Sequence, residues 1–139
     1  MKKYRAKDVY DGWNSPGAWS YGEEVVPVKD VSISGKEYPP TKARMKLENC
    51  DKWIDVIYST VGRFSNIYDN NYNQICEGDI VVDDEGCEYV VQCVGLSDNS
   101  FCGFSKDNGI VAFERLTKTT IIDNVHDRKL TKHHEADKV

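Results

Sequence analysis

Short runs of β-branched and aromatic residues, each broken within a few positions by glycine, proline, asparagine or aspartate, recur along the chain. Nowhere do they give way to sustained apolar spacing of about 3.6 residues. That punctuation favours strands joined by tight turns over a helical bundle. In the first third the runs are Tyr4-Arg5-Ala6, Val25-Val26-Pro27-Val28 and Val31-Ser32-Ile33, separated by Asp11-Gly12 and Ser15-Pro16-Gly17 and ended by Ser34-Gly35. Pro27 has no N–H to give a ladder, so its strand lies at an edge or is bent. Pro39-Pro40 closes the segment, after which Ala43, Met45 and Leu47 alternate as on a strand, although the propensities of residues 41–49 also permit a helical turn.

Trp53-Ile54-Asp55-Val56-Ile57-Tyr58 is apolar at nearly every position, which predicts a strand buried on both faces. Residues 68–74, with Asp69, Asn70, Asn71 and Asn73, carry turn chemistry, because short side chains there bond their own backbone and tolerate left-handed geometry. Ile80-Val81-Val82, the turn Asp83-Asp84-Glu85-Gly86 and residues 87–94 read as a hairpin. Residues 101–104 and 110–116 read as a second one around Asp107-Asn108-Gly109, and Thr119-Thr120-Ile121-Ile122 as the last strand. The expected fold is all-β or mainly β: a small SH3-like barrel or rolled sheet, with an N-terminal β lobe sharing its core. The expected division is residues 1–58 for the lobe, 59–127 for the barrel module and 128–139 for a polar tail.

A chain of 139 residues suits one ordinary domain, and 40% hydrophobic against 29% charged residues gives enough apolar surface to offset chain entropy. No stretch approaches the roughly 20 apolar residues of a membrane helix, and the opening Met1-Lys2-Lys3-Tyr4-Arg5 runs into polar sequence. A cytoplasmic protein without a membrane partner is expected. Cys50, Cys76, Cys87, Cys93 and Cys102 make an odd count with no CxxC pair, which favours reduced thiols over a disulfide framework or a zinc ribbon.

Charge is divided unevenly. Between Arg63 and Lys106 there is no cation, while Asp69, Glu77, Asp79, Asp83, Asp84, Glu85, Glu88 and Asp98 bring that interval to −8, so the rest of the chain sums to +3. Only the flanks, Lys2, Lys3, Arg5 and Lys7 with Lys42, Arg44, Lys46 and Lys52, offer phosphates the clustered cations they require.

Three stretches carry a family likeness. Ser59-Thr60-Val61-Gly62-Arg63-Phe64-Ser65-Asn66-Ile67-Tyr68-Asp69, followed by Ile75-Cys76-Glu77-Gly78-Asp79-Ile80-Val81, resembles the signature run of the YopX family of phage and prophage proteins. Lys3-Tyr4-Arg5-Ala6-Lys7-Asp8 resembles that family's opening, and Ile121-Ile122-Asp123-Asn124-Val125-His126-Asp127 its terminal segment. The chain departs from the pattern at the asparagine-rich stretch from Asn66, at Cys76 where an aromatic is common, and at Asp123 in place of a glycine. The resemblance implies phage or prophage origin, a mainly β fold and a bacterial cytoplasmic setting, and it brings no settled activity.

Glu77-Gly78-Asp79 has two acids around a glycine, as a metal or general-base site would. A turn is the stronger reading, with Gly78 at positive φ and Asp79 capping amides. Asp83, Asp84 and Glu85 supply three oxygen ligands at a hairpin tip, where calcium needs about six to eight, so a solvated turn is expected. All three histidines, His126, His133 and His134, lie at the C-terminal end, so no nucleophile has a nominated base and no catalytic residue, metal or cofactor is expected. Trp13, Trp19 and Tyr21 form an aromatic platform for bases or peptides in the functional reading, although aromatics at such spacing more often fill a core. The expected function is a non-enzymatic interaction or regulatory module acting on a host or phage protein. The alternative is a nucleic-acid-binding accessory protein using the basic flanks, and edge strands favour homo-oligomers in either case.

Overall fold

A computed structural model describes residues 2–9, 17–29, 40–95, 100–105 and 109–128. The protein is mainly β. Its strands are β1 (Tyr4–Lys7), β2 (Trp19–Val28), β3 (Lys42–Leu47), β4 (Trp53–Ile57), β5 (Gly62–Tyr68), β6 (Gln74–Cys76), β7 (Asp79–Val82), β8 (Glu88–Cys93), β9 (Phe101–Ser105), β10 (Gly109–Val111) and β11 (Thr120–Asn124). Helix is confined to short turns, a 3-10 turn at Tyr58–Thr60, α1 (Phe113–Leu116) and one turn over residues 125–128. All pairings are antiparallel, in one sheet ordered β4-β3-β2-β1-β5-β6 and another ordered β10-β9-β8-β7-β11. The chain divides into two compact units, Met1–Arg63 and Phe64–Val139. Among the described residues no helix is long and apolar enough to cross a membrane.

In the first unit, Ala6, Ala43, Met45 and Val56 form a buried cluster, with Tyr4, Val25, Leu47, Ile54 and Val61 packed against it. These are the inward positions that period-two alternation dictates on β1, β3 and β4. Gly22 lets two strands approach: a Cβ there would overlap Met45 Cγ and the Lys46 carbonyl oxygen. Strand β1 covers β2 from Trp19 to Gly22, so Pro27, opposite Ala43, stands where β2 has β3 as its one partner among the described residues. This local edge accommodates a residue without an N–H. The Thr60 hydroxyl donates to the Ile57 carbonyl and accepts from the Lys7 amide, fixing the 3-10 turn against β1.

In the second unit the buried cluster is Ile67, Ile75, Val81, Tyr89, Val91, Phe101, Val111 and Leu116. The face is set by register, since Val81 opposes Tyr89, and Val91 opposes Gly103, which in turn opposes Val111. Asn124 starts the closing helical turn as a cap: its side-chain oxygen accepts from the amides of His126 and Asp127. Arg128 then pairs with Glu88 at 2.9 Å and Asp123 at 3.4 Å.

Several expectations need correction. Neither sheet closes, so there is no SH3-like barrel. Strand β10 is three residues long and turns after Ala112 into α1, leaving β11 bonded, among the described residues, to β7 alone. Residues 110–116 are therefore a strand and then a helical turn that buries Leu116. Strand β4 is not buried on both faces: it ends its sheet, and Asp55 is exposed. Strand β5 was not foreseen because, of its inward positions Ser65 and Ile67, the first is filled by a serine and breaks the apolar alternation. The Ser65 hydroxyl donates to the Ile75 carbonyl and accepts from the Ile67 amide, stitching the irregular β5–β6 register. The expected strand at Val31-Ser32-Ile33 and the turn residues Asp107 and Asn108 lie outside the described residues.

Candidate functional site

Register on β1 and β2 assembles what the sequence presented as two separate features. Arg5 opposes Tyr21 and Lys7 opposes Trp19, which puts basic and aromatic residues on the face opposite buried Ala6. The Lys2 ammonium lies 4.2 Å from the Tyr21 ring centre, and the Arg5 guanidinium and Lys7 ammonium lie 4.8 and 5.2 Å from that of Trp19. Such contacts orient the rings and cations in advance of any ligand. Trp19 and Tyr21 thus lie outside the buried cluster, contrary to a core role, because the pairing with Arg5 and Lys7 turns them the other way. Trp13, the third ring of the expected platform, lies outside the described residues.

On β3, Lys42 and Arg44 alternate with buried Ala43 and Met45, so they belong to the same outward side and are exposed. Lys46 is differently occupied. Its ammonium lies 3.1 Å from Glu23 and 3.9 Å from Asp51, and the hydrogen bond to Glu23 raises its pKa. Lys52 sits in the β3–β4 connection, where its carbonyl accepts from the Leu47 amide. The spacing of Lys42, Arg44 and Lys46 at every second residue was the signal for a cationic strand face. That Trp19 and Tyr21 would join it needed the β1–β2 register, which the sequence does not spell out.

The acidic motifs have other occupations. Gly78 has φ 91° and is buried; its amide donates to the Val91 carbonyl, and its carbonyl accepts from the Val125 amide. Buried Asp79 accepts at Oδ2 from the Cys76 amide at 2.8 Å, and Glu77 Oε2 accepts from the Cys93 amide at 3.4 Å. At the β7–β8 tip, Asp83 Oδ1 accepts from the amides of Glu85 and Cys87, with Gly86 at φ 84° completing the turn. Asp84 and Glu85 are exposed. With Asp83, Tyr89, Val111, Arg115, Lys118 and Thr119 they line a cavity of about 130 Å³.

Asp69 does more than turn chemistry alone suggested. Buried to 4% exposure, it accepts at Oδ1 from the amides of Asn71 and Asn73 and at Oδ2 from that of Ile121. The left-handed residue of that turn is Tyr72, at φ 62°, and not one of the asparagines.

No group of three or more metal-ligating side chains occurs among the described residues, and His133 and His134 lie outside them. Cys76 is buried and Cys50 exposed; burial, with the neighbouring Cys93, raises the pKa of Cys102. Compared with known proteins, the chain matches no family model, and no curated protein matches it.

Proposed function

We propose that the protein is a non-enzymatic interaction module of phage or prophage origin, related to the YopX family, working in the bacterial cytoplasm. Its contact surface is the outward face of β1, β2 and β3, and its partner there is anionic. The observation that carries this reading is the cation–aromatic set Lys2–Tyr21, Arg5–Trp19 and Lys7–Trp19, with exposed Lys42 and Arg44 on the outward side of β3. Charge follows the same division: residues 1–63 hold eleven cations and nine acids, net +2, while residues 64–139 hold seven and fourteen, net −7. A binding role without catalysis is supported by the carboxylates of Glu77, Asp79 and Asp83, which accept from backbone amides and so serve local folding. The family relation rests on the three residue runs that resemble YopX.

The test is retention on immobilised heparin. Wild type should bind at low salt, and Lys42→Gln/Arg44→Gln, at exposed positions, should elute at distinctly lower salt. Flow-through of the wild type would overturn the reading.

A second surface is favoured by the exposure of Asp84 and Glu85, a tip suited to a basic protein partner. Their field acts on encounter more than on folding, since exposed pairs contribute only about 0–1 kcal/mol each. Asp84→Asn/Glu85→Gln leaves the Asp83 turn intact. It should slow association with a lysine-rich peptide at low ionic strength, with the two proteins converging as salt rises. Superimposable curves of association rate against ionic strength would reduce these acids to a solubilising face.

A further inference from the structure

Resting on that reading of the β1–β3 face, we infer that its ligand is single-stranded nucleic acid. Trp19 and Tyr21 stand two residues apart on one side of β2, a separation of about 7 Å along the strand. Each ring has a cation within 5.2 Å of its centre. A base splayed on Tyr21 has an aromatic surface to stack on and the phosphate beside it has exposed Lys2 to meet, while Lys7, 8% exposed, holds Trp19 from within the fold. Further along the same side, register places Val26 opposite Arg44 and Val28 opposite Lys42, and the two valines are 52% and 37% exposed. Apolar positions paired with cations extend the platform in a form that sugars and base faces can cover.

The charges also select the single strand over the duplex. Glu24 opposes Lys46 and Glu23 holds the Lys46 ammonium, so the exposed Lys2, Lys42 and Arg44 are the cations this side turns to phosphates. A duplex carries twice the axial charge density of one strand and hides its base faces in the stack, so it would forgo the two rings and ask for more cations. An acidic peptide would meet the cations while making less use of the rings.

The experiment is fluorescence anisotropy of a labelled oligothymidylate about 12 nucleotides long, within the site sizes of single-strand binders, titrated with the full chain at several salt concentrations. Competition with the matching duplex and with polyglutamate completes it. With Lys2, Lys42 and Arg44 each meeting a phosphate, the slope of log affinity against log salt should be roughly −2. Tyr21→Ala, at a position 39% exposed, should weaken binding by roughly fivefold or more with the slope unchanged, while Tyr21→Phe binds as wild type. Arg44→Gln should lower the slope by about 0.7. Melting curves establish that each variant is folded. Oligothymidylate that fails to bind while heparin retention persists overturns this inference and leaves the interaction-module reading standing; failure of both removes both. Equal competition by the duplex, stronger competition by polyglutamate, or a Tyr21→Ala variant of wild-type affinity overturns the inference as well.

Discussion

Asp69→Ala is expected to lower stability by about 3 kcal/mol and the melting temperature by roughly 10 °C. Three amides lose their acceptor at once. Those of Asn71 and Asn73 lie in an exposed turn that water reaches, so their loss is partly compensated, but the Ile121 amide sits at the start of β11 against a carboxylate only 4% exposed. A buried donor left without a partner costs about 1–3 kcal/mol, to which the partly compensated loss at Asn71 and Asn73 adds. Asp69→Asn separates the contributions. One amide oxygen can still serve Asn71 and Asn73, while the side-chain NH₂ meets the Ile121 amide donor to donor, so an intermediate loss of about 1–2 kcal/mol is expected. Amide exchange at Ile121 should accelerate in both variants. A melting temperature for Asp69→Ala equal to wild type would mean that the 68–74 turn is not tied to β11 in the way these bonds imply.

The residues that made the mainly β architecture legible were those in short alternating or β-branched runs beside turn residues, even where, as at residues 41–49, the propensities also permitted a helical turn. Ala43, Met45 and Leu47 mark β3, and Ile80-Val81-Val82 with Asp83-Asp84-Glu85-Gly86 marks the β7–β8 hairpin, because burial and turn chemistry there act over a few neighbouring residues. Strand β5 was hidden for an equally local reason. A serine can occupy an inward position only when its hydroxyl is satisfied, and the groups that satisfy Ser65 come from Ile67 and from Ile75 on the next strand. Sheet closure was beyond reach of such signals. It depends on whether β10 and β11 meet, and that turned on a helical turn after Ala112 in a stretch whose composition suits a strand equally well.

The candidate face divides in the same manner. The cations of β1 and β3 were visible as every-second-residue series, and Trp19 and Tyr21 as an aromatic pair. What joins them is the pairing of Arg5 with Tyr21 and Lys7 with Trp19, set across the β1–β2 connection. A shift of one residue in that register would send both rings to the Met45 side and leave the cations without aromatic neighbours.

Gly78→Val is expected to destabilise the protein by about 1–3 kcal/mol from backbone strain alone, and by more once the buried branched side chain is accommodated. Glu77→Gln should change stability by about 0.5 kcal/mol or less, as substitutions that keep shape and an acceptor commonly do. The contrast follows from where the two residues act. Gly78 holds φ 91° with both its amide and its carbonyl engaged, to Val91 and Val125, so the backbone cannot rotate away from the clash without giving up bonds to β8 and to the closing helical turn. Asp79 adds to the constraint, because its hold on the Cys76 amide fixes the geometry on the other side of the glycine. Glu77 contributes a long 3.4 Å contact to the Cys93 amide, for which a glutamine oxygen can substitute. Gly78→Ala isolates the backbone cost from bulk and should fall between the two. Urea unfolding of the four proteins, compared at equal m-values, gives the measurement. A valine variant with the wild-type midpoint would show that residues 77–79 relax freely, which returns Glu77 and Asp79 to consideration as ligand-binding acids.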